Sequence, residues 1–382
     1  MYNWSNLKNS DISRASEDLK KLDERFKNLK KIQNVFLNCY YESPNTNNLF
    51  KELVANKKTD FSRYKYFHAS YVASSGEIEE AKTIVQSALK LNPRNLLLNQ
   101  YKIDLNEKIF LKSFSCKNEN QVIAEILYIA ANILSSQSIY PLSNFYLNLA
   151  KYLNEDFHSF DTLVAENFYK LDNFENAKKI YKGLSKRGDT FKWHSTKQLS
   201  RILVQEGKKE KAIRLVSGVY KDLAYKEIYE TFDFAEFLKN NEKFEDSIPY
   251  YTKIINRIKK DHPLYSEATD GRGVAYERTG EWNKAEKDLL ASLKADPNQA
   301  YVINYLAYSW IEKGVKIEKS LDMLEKANKL KSNDPFIIDS LGWALFKLER
   351  YEESKSYLQM AVRLMPGDPI VNDHFGDVLW KN

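Results

Sequence analysis

The side chains best able to do chemistry in this chain are five histidines, two cysteines and a few glycine-containing or basic clusters, and their spacing decides what they could do. His68, His158, His194, His262 and His374 fall in separate stretches, none in the HExxH spacing by which one helix offers two nitrogens to a metal. They read as surface or core histidines. Cys39 and Cys116 lie far apart with no CxxC and no histidine beside them, so the sequence supports neither a zinc site nor a disulfide framework. Gly271-Arg272-Gly273 followed by Gly280 fails the GxGxxG spacing and follows no strand, so it is no nucleotide loop. Arg187-Gly188-Asp189 matches an adhesion tripeptide only in its letters and reads as a loop. Neither a nucleophile elbow nor a Ser/Lys pair is present. The pairs Lys20-Lys21, Lys30-Lys31 and Lys259-Lys260 are too brief and dispersed to make a patch for an acidic partner, and read as solvated helix faces. These residues predict a protein that is not an enzyme, holds no metal or cofactor, and binds no nucleic acid.

A different set of residues is ordered. Arg272, Gly273, Tyr276, Gly280, Trp282, Ala285, Leu289 and Pro297 stand at offsets 7, 8, 11, 15, 17, 20, 24 and 32 of a unit opening at Ser266. Many of these offsets return as Leu341, Gly342, Leu345, Tyr351, Leu358 and Pro366 in a unit opening at Pro335, and earlier as Ala69, Val72, Gly76, Ile78, Ala81, Val85 and Pro93 after Ser62. Offsets 4, 7, 8 and 11 share one stripe of a first helix, and 20, 24 and 27 one stripe of a second, because residues three and four apart share a helical face. Offset 8 is small throughout: Ala69, Ala131, Ala165, Ser200, Ala235, Gly273, Ala307 and Gly342. That is where two helices must cross closely.

Bulk properties agree with a chain of helices joined by short turns. A single core rarely serves more than about 250 to 300 residues, and 382 residues are accommodated if units stack along one axis. Only 12 Gly and 9 Pro leave little material for linkers. The net charge of +6 is uneven, about +9 up to Tyr265 and −3 from Ser266 on. The first 30 residues are charged throughout and contain no apolar core of signal-peptide length. The most hydrophobic window, Val122 to Leu134, is interrupted by Glu125 and too short to span a bilayer.

Taken in order, the chain predicts partial and degenerate helical repeats over 1–61, with Ala15, Leu19 and Leu22 in the tail of an incomplete one. A repeat follows over 62–95, then an inserted helix and loop over 96–123, the best candidate for a hinge or a change in superhelical path. A continuous array fills 124–382, its repeats opening near 124, 158, 193, 228, 266, 300 and 335, with a final helix over 369–382.

These offsets, returning about every 34 residues, resemble the tetratricopeptide repeat over most of the chain from Ser62 to Asn382. More narrowly, Asn304-Tyr305-Leu306-Ala307-Tyr308-Ser309-Trp310, Asp339-Ser340-Leu341-Gly342-Trp343 and Asn372-Asp373-His374-Phe375-Gly376-Asp377 are similar to segments of a bacterial subgroup of multi-repeat proteins. Members of that subgroup commonly begin with an export signal and continue past this C-terminus, so the resemblance implies that both ends are truncated. The compartment expected is the cytoplasm for the chain as given, and periplasmic or membrane-associated if an upstream export signal is missing.

The resemblance implies an all-α fold, a right-handed superhelical solenoid of stacked helix pairs whose first helices line a concave groove for a peptide or partner protein. On the family's pattern the groove residues are Tyr301, Asn304, Tyr308, Phe336, Asp339, Trp343, Asp373, Asp377 and Trp380, with His194, Lys197 and Arg201 from an earlier repeat. Aromatic anchors among acids suit an extended segment with apolar and basic side chains. The competing reading of Trp343 and Phe336 is that they pack between repeats. Family members that bind chaperone tails use a Lys/Asn/Arg carboxylate clamp. Lys197 matches its first part, but Arg201 and Asp233 stand where Asn would be required. The function expected is a non-catalytic protein-interaction scaffold. The alternative is a structural segment of a larger bacterial cell-envelope assembly protein.

Overall fold

A computed structural model describes residues 12–55, 62–109 and 113–381, and all regular structure among them is helical. The chain divides into two compact units, Met1–Tyr229 and Glu230–Asn382. The first unit contains α1 (Ile12–Lys20), α2 (Lys27–Tyr40), α3 (Thr46–Val54), α4 (Ser62–Ser74), α5 (Ile78–Leu91), α6 (Leu96–Asn106), α7 (Glu119–Ser136), α8 (Tyr140–Leu153), α9 (Ser159–Lys170), α10 (Phe174–Leu184), α11 (Asp189–Gln205) and α12 (Lys209–Asp222). Then α13 (Ile228–Asn240) begins at the boundary and lies mostly in the second unit, followed by α14 (Phe244–Ile255), α15 (Leu264–Arg278), α16 (Trp282–Ala295), α17 (Ala300–Glu312), α18 (Ile317–Leu330), α19 (Pro335–Lys347), α20 (Tyr351–Leu364) and α21 (Pro369–Lys381). Within each unit, most helices adjacent in sequence pack against one another, and some first helices also touch the first helix of the next pair, as α17 touches α19 and α19 touches α21.

The sequence builds these pairs by two devices. Between first and second helix the backbone reverses through a left-handed residue, at Gly76, Ser138, Asp172, Gly207, Glu242, Gly280, Gly314 and Glu349. All eight occupy offset 15, where a helix C-terminus needs positive φ to redirect the chain. Then the small residue at offset 8 admits the second helix. A Cβ added to Gly342 would lie 2.7 Å from Leu358 Cγ, and one added to Gly273 3.0 Å from Leu289 Cγ, so offset 8 meets offset 24 at the crossing. The alanines at the same offset, Ala69, Ala131, Ala165, Ala235 and Ala307, are fully buried. Gly271, two positions earlier, has a separate role: its missing Cβ leaves room for the Tyr251 ring of the preceding pair, 2.6 Å from where that atom would be.

The loop that ends the stretch over 96–123 packs into the first unit. The Phe114 ring lies 4.2 Å from that of Phe67 and 5.3 Å from that of Phe36, in a cluster that Tyr66 and Phe157 extend, so this loop carries part of the unit's apolar core. Cys116 is bonded to Cys39 in a disulfide whose Cα atoms are 5.9 Å apart, which corrects the reading that the sequence supports no disulfide. Beside it Tyr40 donates to Glu119 at 2.6 Å and Lys117 pairs with Glu42. Glu125, which interrupts the apolar window, is fully buried and held by both arms of Arg63 at 2.7 Å, with the guanidinium 3.8 Å from the Tyr128 ring. A carboxylate buried among aromatic rings is tolerable because this pairing replaces its lost water.

Candidate protein-binding surface

In the second unit the first helices α17, α19 and α21 lie side by side and carry most of the residues expected to face a partner. Their starts are fixed locally. Asp334 accepts from the Phe336 and Ile337 N–H groups to cap α19, and Asp368 accepts from Ile370 and Val371 to cap α21.

On α17, Tyr301, Asn304 and Tyr308 share one face. Tyr301 is half exposed, donates to Asp334 at 2.9 Å, and has the Lys331 ammonium 4.6 Å from its ring. Asn304 Oδ1 is shielded from solvent and accepts no hydrogen bond from any described residue. Tyr308 has its hydroxyl pushed up to about 12 by burial, with the Glu312 and Asp339 carboxylates adding to the effect.

The α19 residues divide. Phe336 is exposed, whereas Trp343 and Asp339 are closed off at 7% and 5% exposure. His374 of α21 causes this: its ring stacks 4.0 Å from Trp343, and its Nδ1 lies 3.0 and 3.1 Å from the two Asp339 oxygens. Trp343 also stacks on Phe346 at 4.8 Å and donates from Nε1 to Glu312 at 2.8 Å. Trp343 therefore braces α17, α19 and α21 together and has no face open to a partner. On α21, Asp373, Asp377 and Trp380 share the exposed side, and Trp380 is 88% exposed.

The earlier group belongs to the first unit. Arg201 of α11 lies 3.7 Å over the Tyr169 ring of α9 and donates to both Glu166 oxygens at 3.0 and 3.2 Å. The guanidinium stacks on the ring while one nitrogen, Nη2, reaches the carboxylate, so Arg201 ties two first helices together. His194 is pushed down to about 4 by burial, with Lys197 and Arg201 adding to the effect, and Lys197 is half-buried.

Sequence reasoning missed His374 as a structural partner. The signal was its place in α21 at offset 6, one repeat after Asp339 at offset 5 of α19, where adjacent first helices bring neighbouring offsets together. Among the described residues no group of three or more His, Cys, Asp or Glu is placed to hold a metal ion. Nor is any helix there long and apolar enough to cross a membrane.

The arrangement defines a helix-pair repeat protein that offers side chains from neighbouring first helices. The profile of the tetratricopeptide repeat matches residues 339–368, spanning α19 and α20, the pair joined at the Gly342–Leu358 crossing. The TPR repeat-containing protein PA4667 of Pseudomonas aeruginosa is 27% identical over 124 residues, 32% of this chain. The chain covers 20% of that relative's length. Among solved structures, the thermophilic TPR protein TTC0263 of Thermus thermophilus is 16% identical with a TM-score of 0.39, over 49% of this chain and 99% of that one. MamA from Desulfovibrio magneticus RS-1 is 15% identical with a TM-score of 0.38, over 47% of this chain and 97% of that one. Residues 339–368 carry a tetratricopeptide repeat, and the chain has a distant bacterial relative that is a TPR repeat-containing protein.

Proposed function

We propose that the protein is a non-catalytic scaffold whose second unit binds an extended segment of another protein across α17, α19 and α21. The carrying observation is the mixture of open aromatic rings, Tyr301, Phe336 and Trp380, with the exposed carboxylates Asp373 and Asp377 on these first helices. Rings supply area for apolar side chains, and carboxylates favour a lysine or arginine in the bound segment. Trp343, Asp339 and Tyr308 then act from behind, by holding the helices at fixed spacing. Lys197 and Arg201 belong to the first unit, where Arg201 is already paired with Glu166.

Selection of a random-peptide library on the protein tests this. Wild type should enrich sequences that alternate large apolar residues with Lys or Arg. A Phe336→Ala/Asp377→Asn/Trp380→Ala variant should lose that enrichment while melting as wild type does. Identical enrichment by both would remove this surface from consideration.

One observation favours the second reading, a segment of a cell-envelope assembly protein. Disulfides persist in oxidising compartments such as the bacterial periplasm, and Cys39–Cys116 is one. A periplasmic or envelope location is therefore proposed over a cytoplasmic one. Alkylation of the protein drawn from cells under acid quench should leave both cysteines unlabelled until reductant is added. Labelling without reductant would place the chain in a reducing compartment.

A further inference from the structure

The α7–α8 pair of the first unit carries an outer face unlike the rest of the protein. From Gln121 to Leu153 the only charged residues are Glu125 and Lys151, in a chain where 29% of residues are charged. Both are already paired: Glu125 is buried against Arg63, and Lys151 meets Asp161 at 2.5 Å. On α8, Leu142, Phe145, Leu149 and Tyr152 recur at spacings of three, four and three, which puts all four on one stripe. With Ile133 and Ile139 beside the turn, these six side chains are 40 to 86% exposed. The opposite side of α8, with Ser143, Leu147 and Ala150, faces the core. Hence the open stripe is additional to what the fold consumes.

We infer that this face pairs with the same face of a second copy of this chain, α8 against α8 across a two-fold axis. Three features select that occupant. The first is area. Scaled to whole side chains, the exposures amount to roughly 600 Å² per copy, at the upper limit for the largest apolar patch of ordinary monomers, and two copies would bury ~1,200 Å², where specific interfaces begin. The second is shape, because a three-four stripe is the seam by which two helices interdigitate along their length. The third is charge. The first unit holds 36 Lys and Arg against 26 Asp and Glu, so two copies repel over most of their surface and approach best through a patch that carries no charge. An uncharged face is complementary to itself, as a two-fold contact requires. A membrane surface is disfavoured by the same count, since a helix lying on anionic lipid presents Lys or Arg along its polar flank and this one presents only the paired Lys151.

Sedimentation equilibrium of the 382-residue chain tests the inference without reference to peptide binding. At tens of micromolar, wild type should sediment at twice 44.7 kDa, and raising NaCl should strengthen association by screening the repulsion between basic units. A Phe145→Glu/Tyr152→Glu variant should sediment at 44.7 kDa with an unchanged helical signal, because both side chains are already exposed. Tyr152→Glu alone should weaken association at least tenfold, and Trp380→Ala in the second unit should leave it untouched. Wild type that is monomeric at these concentrations, a dimer indifferent to the α8 substitutions, or one that dissociates in salt would each overturn the proposal.

Discussion

At the scale of single residues, the fold depends on atoms that are missing. Gly342→Ala would set a Cβ 2.7 Å from Leu358 Cγ and 3.2 Å from its backbone nitrogen, so α20 must move away. We expect a loss of about 1 to 3 kcal/mol in chemical denaturation. Gly376→Ala is the control. It lies in a helix with nothing within 4 Å of the added atom, so propensity alone should make it neutral or stabilising by up to about 1 kcal/mol. Equal behaviour of the two variants would mean that the crossing is not where the structure puts it.

Asp270 makes a second residue-scale prediction. Burial pushes its carboxyl up to about 6, with Lys239 pulling it down and Glu236 and Glu267 pushing it further up. A folded pKa above the unfolded value means the native state binds the proton more tightly. Its contribution is therefore most favourable below about pH 4, is lost as pH rises to 6, and stays lost above. Asp270→Asn should be more stable than wild type at pH 7 by on the order of 2 kcal/mol, with the difference vanishing near pH 4. The variant-minus-wild-type difference in melting is the quantity to follow, because His68 and His194, both pushed down to about 4 by burial, lose stability in the opposite direction as pH falls. A difference that is constant with pH would contradict the burial of that carboxyl.

At the scale of elements, the periodic part of the chain was legible for a physical reason. Crossing residues such as Ala307 and Gly342 and turn residues such as Gly280 must be small or left-handed at fixed intervals, and a repeated requirement leaves a repeated pattern. The helix and loop over 96–123 were legible but not what holds them, because their partners follow no periodicity. Cys116 finds Cys39 across 77 residues, and Phe114 finds Phe36 and Phe67, pairings that local spacing cannot announce. Trp343 was ambiguous for a related reason. Its offset fits both a groove and a packing position, and only the placement of His374 and Glu312 decides between them. Closing a loop of this length makes the disulfide worth roughly 2 to 4 kcal/mol through the unfolded chain. Reduction, or Cys39→Ser with Cys116→Ser, should lower the melting temperature of the first unit. Unchanged melting after verified reduction would show that the aromatic cluster alone holds the loop.

At the scale of the whole molecule, the two units differ in charge as well as in content. The second unit holds 22 Lys and Arg against 26 Asp and Glu, and carries the open aromatic residues of α17, α19 and α21. The first is basic and carries the disulfide and the uncharged α8 face. A basic, apolar segment is thus attracted to the second unit and repelled by the first, and its affinity should fall as salt rises, opposite to the self-association of α8. The most direct test is hydrogen–deuterium exchange of the full chain with and without a peptide enriched by the library selection. Exchange should slow in α17, α19 and α21, most strongly in peptides containing Tyr301, Phe336 and Asp377. Protection confined to the first unit, around Lys197 and Arg201, with none on those three helices, would contradict it.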